Sequence, residues 1–151
     1  MPPVIVIGVG NPDRGDDGAG REVARRLSGC AGPGVLIVEA NGEATTILDH
    51  LTGASTAYLI DACVSGAPPG TVRRINLAEE PLPRVRYGVS SHGFGLAEAV
   101  ELSKALGQLP PRCIVFAIEG ESFEMGASLS PAVTDGVEKA VEALRREIAG
   151  S

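Results

Sequence analysis

A chain of 151 residues with 44% hydrophobic and 21% charged residues is one compact domain of ordinary size, which excludes linker architectures and a disordered tail. The formal net charge of −6, from 19 acidic and 13 basic residues, excludes a phosphate-neutralising surface, so neither nucleic acid nor an anionic membrane is expected as the main partner. Twenty glycines and 11 prolines are an excess without a regular period, and set among apolar runs they mark tight backbone positions rather than collagen-like or low-complexity sequence.

The first residues, Met-Pro-Pro-Val-Ile-Val-Ile-Gly, lack the positive flank and small-residue cleavage site of a signal peptide, and no apolar run approaches the roughly 20 residues of a membrane helix. A cytoplasmic protein is expected. Val4 to Val9 then opens a series of four short, continuous, Val/Ile-rich runs, followed by Val35 to Glu39, Ala57 to Ala62 and Cys113 to Ile118. Such runs predict a parallel sheet covered on both faces. Helical patterns lie at Asp17 to Leu27, Ala44 to Leu51, His92 to Leu106 and Pro131 to Ile148. In the last of these Val133, Val137, Ala140, Val141, Leu144 and Ile148 recur at helical spacing, and Ser130 before Pro131 predicts an N-cap. Thr71 to Leu77 alternates weakly after the turn Gly66-Ala-Pro-Pro-Gly70, and so short a link to the preceding strand predicts an antiparallel direction. The expected architecture is a three-layer α/β/α sandwich, one domain over residues 1–151, with a mostly parallel five-stranded sheet carrying one antiparallel strand near an edge.

In such sheets the ligand crevice lies outside the carboxyl ends of the strands. After the first strand comes Gly8-Val-Gly-Asn-Pro-Asp-Arg-Gly-Asp-Asp-Gly-Ala-Gly20. It begins like a dinucleotide fingerprint, but Asp16 and Asp17 stand where the next helix begins and would repel a pyrophosphate. One of the two can cap that helix, which leaves the other free to face the crevice. Asp61, at the end of the third apolar run, is an acid that needs a partner, backbone donors or a cation if it is desolvated. Cys63 shares its face and reads as a small buried hydrophobe; with Cys30 and Cys113 it makes an odd count without CxxC spacing, so neither a disulfide framework nor a four-thiolate zinc site is indicated. His50 falls at the end of a helix, where exposure is the default. His92, in Gly88-Val-Ser-Ser-His-Gly-Phe-Gly95, stands at a loop-to-helix junction. With Asp17 and Asp61 on the same rim, two carboxylates and one imidazole form a candidate divalent-metal triad.

Taken together, the loop GVGNPDRGDDGAG, the strand end LIDACVSGAPPGT, the junction SSHGFGLAEAVEL and the late segment IEGESFEMGASLSPAV resemble, in order and spacing and over nearly the whole chain, the endopeptidases that mature nickel-iron hydrogenases. The resemblance implies a cytoplasmic peptidase that removes a C-terminal extension from the hydrogenase large-subunit precursor after nickel insertion, with that precursor as its partner; a monomer is expected. In such proteins two acids and one histidine coordinate nickel, and these fall on Asp17, Asp61 and His92, the expected metal ligands and catalytic groups. The first acid is Glu or Asp in the family, and Asp16 beside Asp17 leaves a one-residue ambiguity. Asn11, Asp16 and Gly42 are read as shaping the cleft, and no role carries over to Cys63. The resemblance implies that the nickel is the substrate's own, held by precursor thiolates, so that cleavage is conditional on its insertion and the ion polarises the scissile carbonyl or a water. Two other readings share parts of the pattern. Peptidyl-tRNA hydrolases also begin with a strand and Gly-x-Gly-Asn-Pro, but they need a histidine soon afterwards and a basic face, whereas the first histidine here is His50. A non-cleaving, nickel-dependent chaperone would present the same triad.

Overall fold

The four apolar runs form a parallel array of neighbouring strands in one sheet. The computed structural model describes residues 4–89 and 95–150. Strand β1 (Val4–Val9) leads through a short 3-10 turn (Gly15–Gly18) into helix α1 (Ala19–Leu27); β2 (Val35–Ala40) leads into α2 (Ala44–Leu51). β3 (Thr56–Val64), β4 (Val72–Asn76) and the two-residue β5 (Arg86–Tyr87) precede α3 (Leu96–Ala105), and β6 (Arg112–Glu119) precedes α4 (Pro131–Ala149). The strand order is β2-β1-β3-β6-β4, with β5 paired to β3.

β1, β2, β3 and β6 run parallel. β4 has the antiparallel direction that its short link predicts, but it pairs with β6, Val72 opposite Ile118 and Asn76 opposite Ile114, because β6 inserts between β3 and β4. The sheet has six strands rather than the expected five. The sixth, β5, places Tyr87 opposite Cys63 and Arg86 opposite Val64, and two residues are too few to show alternation in a sequence.

Side chains alternate across the sheet, and each face is covered by two helices. On one face Ile5, Ile7, Leu59 and Val115 pack with Ile47 and Leu51 of α2 and Leu96 and Val100 of α3. On the other, Val6, Tyr58, Ile60, Ile114 and Phe116 pack with Val23 and Leu27 of α1 and with Val133, Val137, Ala140, Val141 and Leu144 of α4. The 3.6-residue period in α4 thus becomes its contact stripe, each fully buried Val or Leu contributing about 1.5–3 kcal/mol. α1 crosses β1 and β3 closely enough that a Cβ on Gly20 would run into the carbonyl oxygens of Ile60 and Val9. That approach brings the 3-10 turn before α1 down onto the strand ends.

Two helix starts differ from expectation. Asp17 lies in the 3-10 turn and not in α1, which begins at Ala19. α4 starts at Pro131 after Ser130, but the Ser130 hydroxyl caps nothing; it donates to Asp16 Oδ2 at 2.9 Å. α3 begins at Leu96, and the earlier start expected at His92 lies outside the described residues.

Candidate active site at the carboxyl ends of the strands

A cleft of about 210 Å³ opens where the chain leaves β1 and β2 beside β3, and Val9, Gly10, Asn11, Asp17, Asn41, Gly42, Asp61, Gly88 and Val89 line it. Four of the residues singled out in the sequence, Asn11, Asp17, Gly42 and Asp61, therefore meet in one place. Asp61 reaches it from within β3, one residue beyond the pairing of Gly8 with Ile60, and it shares the α2/α3 face with Leu59 and Cys63. Asp17 reaches it from the 3-10 turn. His92 lies outside the described residues; Val89, three positions before it in the chain, lines the cleft.

The adjacent acids Asp16 and Asp17 have opposite surroundings. Asp16 is fully buried and accepts the backbone N–H groups of Glu121 (2.8 Å), Ser122 (3.0 Å) and Ser130 (2.7 Å) as well as the Ser130 hydroxyl. Its own N–H donates to the Ser122 carbonyl at 2.8 Å. Asp16 thus does not line the cleft; it clamps the loop between β6 and α4 against the N-terminal loop, and it uses up the acceptor capacity of an ionised carboxylate. Of the two adjacent acids, Asp17 is the one that lines the cleft.

Asp17 is 3% exposed and Asp61 2% exposed, so both are desolvated. Asp17 Oδ2 accepts the Asn11 N–H at 2.9 Å, which gives Asn11 a definite part in shaping the site through its backbone. The other oxygen, Oδ1, and Asp61 Oδ1 have no hydrogen-bond partner among the described residues. These two oxygens converge under Gly88: a Cβ at Gly88 would stand 2.7 Å from Asp17 Oδ1 and 3.5 Å from Asp61 Oδ1. Gly88 also has φ of +65°, so glycine is required there both for backbone conformation and for room above the acids.

Burial pushes the Asp17 carboxyl above its ordinary value of 3.8, against the opposing pull of the Asn11 N–H, the nearby Val89 N–H and the Arg14 and Arg86 guanidinium groups. Asp61 is raised well above 3.8, first by burial and then by the neighbouring Asp17 charge, with the Ala62 N–H acting the other way. Two buried carboxylates whose unpaired oxygens lie close to one point beside Gly88 are costly unless a proton or a cation lies near them. Hard oxygen donors of this kind suit a divalent cation, but among the described residues no third His, Cys, Asp or Glu joins the pair in a metal-holding group.

One acid was not singled out in the sequence. Glu119, the last residue of β6, stands opposite Cys63 and is 3% exposed. Burial works to raise its carboxyl, but the Ser65 hydroxyl and N–H and the Cys63 thiol bind it and hold it below its ordinary value. Cys63 is pushed up to about 12, by burial first and then by the Glu119 charge, so it stays a neutral thiol and is no nucleophile. The signal available was an acid ending an apolar strand, the same signal that marked Asp61. The Arg86 guanidinium, which acts on Asp17, lies over the Phe123 ring at 5.3 Å from its centroid.

Comparison with known proteins agrees with this architecture. The sequence model of the hydrogenase maturation protease family (HycI) matches residues 22–147. The hydrogenase expression/formation protein HoxM of Cupriavidus necator is 31% identical over 152 aligned positions, covering 95% of this chain and 74% of that protein. The hydrogenase maturating endopeptidase HybD of E. coli superposes with a TM-score of 0.79 at 24% identity, over 96% of this chain and 93% of that one. The [NiFe] hydrogenase maturation protease HybD of Thermococcus kodakarensis superposes with a TM-score of 0.75 at 24% identity, over 97% and 99%. The structural likenesses carry the fold, while the family model, which spans most of the chain, and the HoxM match carry the relationship: this chain belongs to the hydrogenase maturation protease family.

Proposed function

We propose that this protein is a cytoplasmic processing endopeptidase that removes the C-terminal extension of a nickel-iron hydrogenase large-subunit precursor once nickel has been inserted, and that it recognises the precursor's own nickel through Asp17, Asp61 and His92. The observation that carries the reading is the pair of buried oxygens, Asp17 Oδ1 and Asp61 Oδ1, without a hydrogen-bond partner among the described residues and converging under Gly88 in an open cleft. A purely structural pair of acids would be satisfied as Asp16 is.

The nickel enters as part of the substrate. Burial raises both carboxyls above their ordinary value, so an ionised Asp17–Asp61 pair is costly in the free enzyme; a cation arriving between them offsets that charge and is held by oxygens already desolvated. Three protein ligands leave coordination positions for precursor thiolates. Bound there, the ion supplies Lewis-acid polarisation to the scissile region. Asn11 fixes the Asp17 carboxylate through its N–H, Gly42 and Gly88 let an incoming backbone approach, and the Asp16 clamp holds the turn that carries Asp17. A precursor without nickel meets acidic groups with no cation between them and is not retained.

The test is to incubate the purified protein with nickel-loaded and nickel-free precursor and to measure product mass. Cleavage of the loaded form alone supports the proposal. Cleavage of both forms sinks the nickel-recognition part, and binding without cleavage identifies a chaperone.

A further inference from the structure

The two edges of the sheet are finished differently. β4 carries two charged side chains on its exposed positions, Arg73 within 3.8 Å of Glu80 and Arg74 ion-paired to Glu147 at 2.7 Å, so that edge is flanked by long charged side chains of the kind that deter strand-to-strand association. β2, the opposite edge, reads Val-Leu-Ile-Val-Glu-Ala and has neither lysine nor proline. Its one charge, Glu39, is neutralised by Arg21 at 2.9 Å and Arg25 at 3.1 Å. Among the described residues β2 pairs only with β1, Leu36 is 49% exposed, and Val35, Ile37 and Val38 are only partly covered. A trough of about 370 Å³ runs beside it, walled by Val35 and Ile37 on the strand and by Ser28, Gly29 and Gly32 on the turn after α1. The strand then delivers the chain to Asn41 and Gly42, which line the acid cleft.

We propose that β2 is the recognition edge of the enzyme: the precursor segment adjoining the cut pairs with it as an added strand, main chain to main chain, with alternate apolar side chains entering the trough. The inference rests on the reading that the acid cleft is where the precursor is cut. Continuity selects this occupant over a second copy of the chain, because the open edge runs into the cleft. Six residues at about 3.3 Å each give roughly 20 Å of pairing surface, enough to align a tail of a few residues before it enters the cleft. Its chemistry follows from the edge: an extended segment with free backbone N–H groups and apolar residues at every second position.

Two measurements on the full-length protein with nickel-loaded precursor test it. A proline scan of the precursor residues flanking the cut is expected to slow cleavage with a period of two on one side, because only alternate N–H groups of an added strand face its neighbour. V35K, in the wall of the trough and outside the cleft, is expected to raise KM roughly tenfold, a loss of about 1.4 kcal/mol, and to leave kcat within a factor of two. A scan without periodicity on either side, or an unchanged KM in V35K with an unaltered melting curve, overturns the proposal. So does a concentration-dependent dimer in sedimentation that V35K dissociates while KM stays constant, since the edge would then serve a second copy. Failure of the wild-type protein to cut any precursor refutes the processing function instead, and the period-two readout keeps the two failures apart.

Discussion

Asp16 and Asp17 are neighbours of the same chemistry, both removed from water, yet they belong to two different regions of the molecule. Asp16 sits in a clamp that supplies four donors to one carboxylate, and the region around it is closed. Asp17 sits in a cleft where one of its oxygens and one of Asp61 find no donor among the described residues. The lesson is that burial alone does not distinguish a structural acid from a functional one. What distinguishes them is whether the surrounding backbone has satisfied the carboxylate, and in the cleft it has left capacity for something that arrives from outside.

Removing the carboxylate charge in either region has the largest expected effect. Asp61→Asn and Asp17→Asn are each expected to lower processing of nickel-loaded precursor by about 10³-fold or more, equivalent to roughly 4 kcal/mol, with the fold intact by circular dichroism. Near-normal processing in either variant would remove that acid from the site. Asp16→Ala is expected to act on the fold instead: three backbone N–H groups and a hydroxyl lose their acceptor, and urea unfolding should show a loss of about 3 kcal/mol or more. A loss below 1 kcal/mol would show that the clamp is not structural.

Smaller changes sharpen the same contrast. Gly88→Ala places a methyl against Asp17 Oδ1 and forces a non-glycine residue to φ of +65°, so it should cost about 1–2 kcal/mol of stability and lower kcat/KM roughly tenfold. The smallest effect is one of pH. Burial and the Asp17 charge raise the folded-state value of Asp61 above 3.8, so its ionisation destabilises the folded form at neutral pH, and this penalty disappears as pH falls through the raised value. In metal-free buffer Asp61→Asn should therefore melt a few degrees above wild type at neutral pH, and the gap should close as pH falls toward 3.8. A gap independent of pH would mean that Asp61 is not strained by its charge.

Much of the architecture was written locally. Continuous Val/Ile runs marked the four parallel strands, the period of Val133 to Leu144 marked the stripe of α4, and the short link after β3 set the direction of β4, because these depend on side chains within a few residues of one another. The four motifs in order placed the chain in its family. Long-range placement was another matter. That β6 separates β3 from β4, that a two-residue β5 pairs with Cys63 and Val64, and that Ser130 gives its hydroxyl to Asp16 instead of capping α4 all depend on groups far apart in the chain.

For the acids the division is the same. That an Asp follows β1 and another ends an apolar run could be read directly, and so could the expense of burying them. Which of Asp16 and Asp17 keeps a free oxygen could not be read, because the answer lies in the backbone of residues 121, 122 and 130, more than 100 positions away. A carboxylate's role here follows from the donors that folding brings to it, and no local pattern encodes donors that arrive from the other end of the chain.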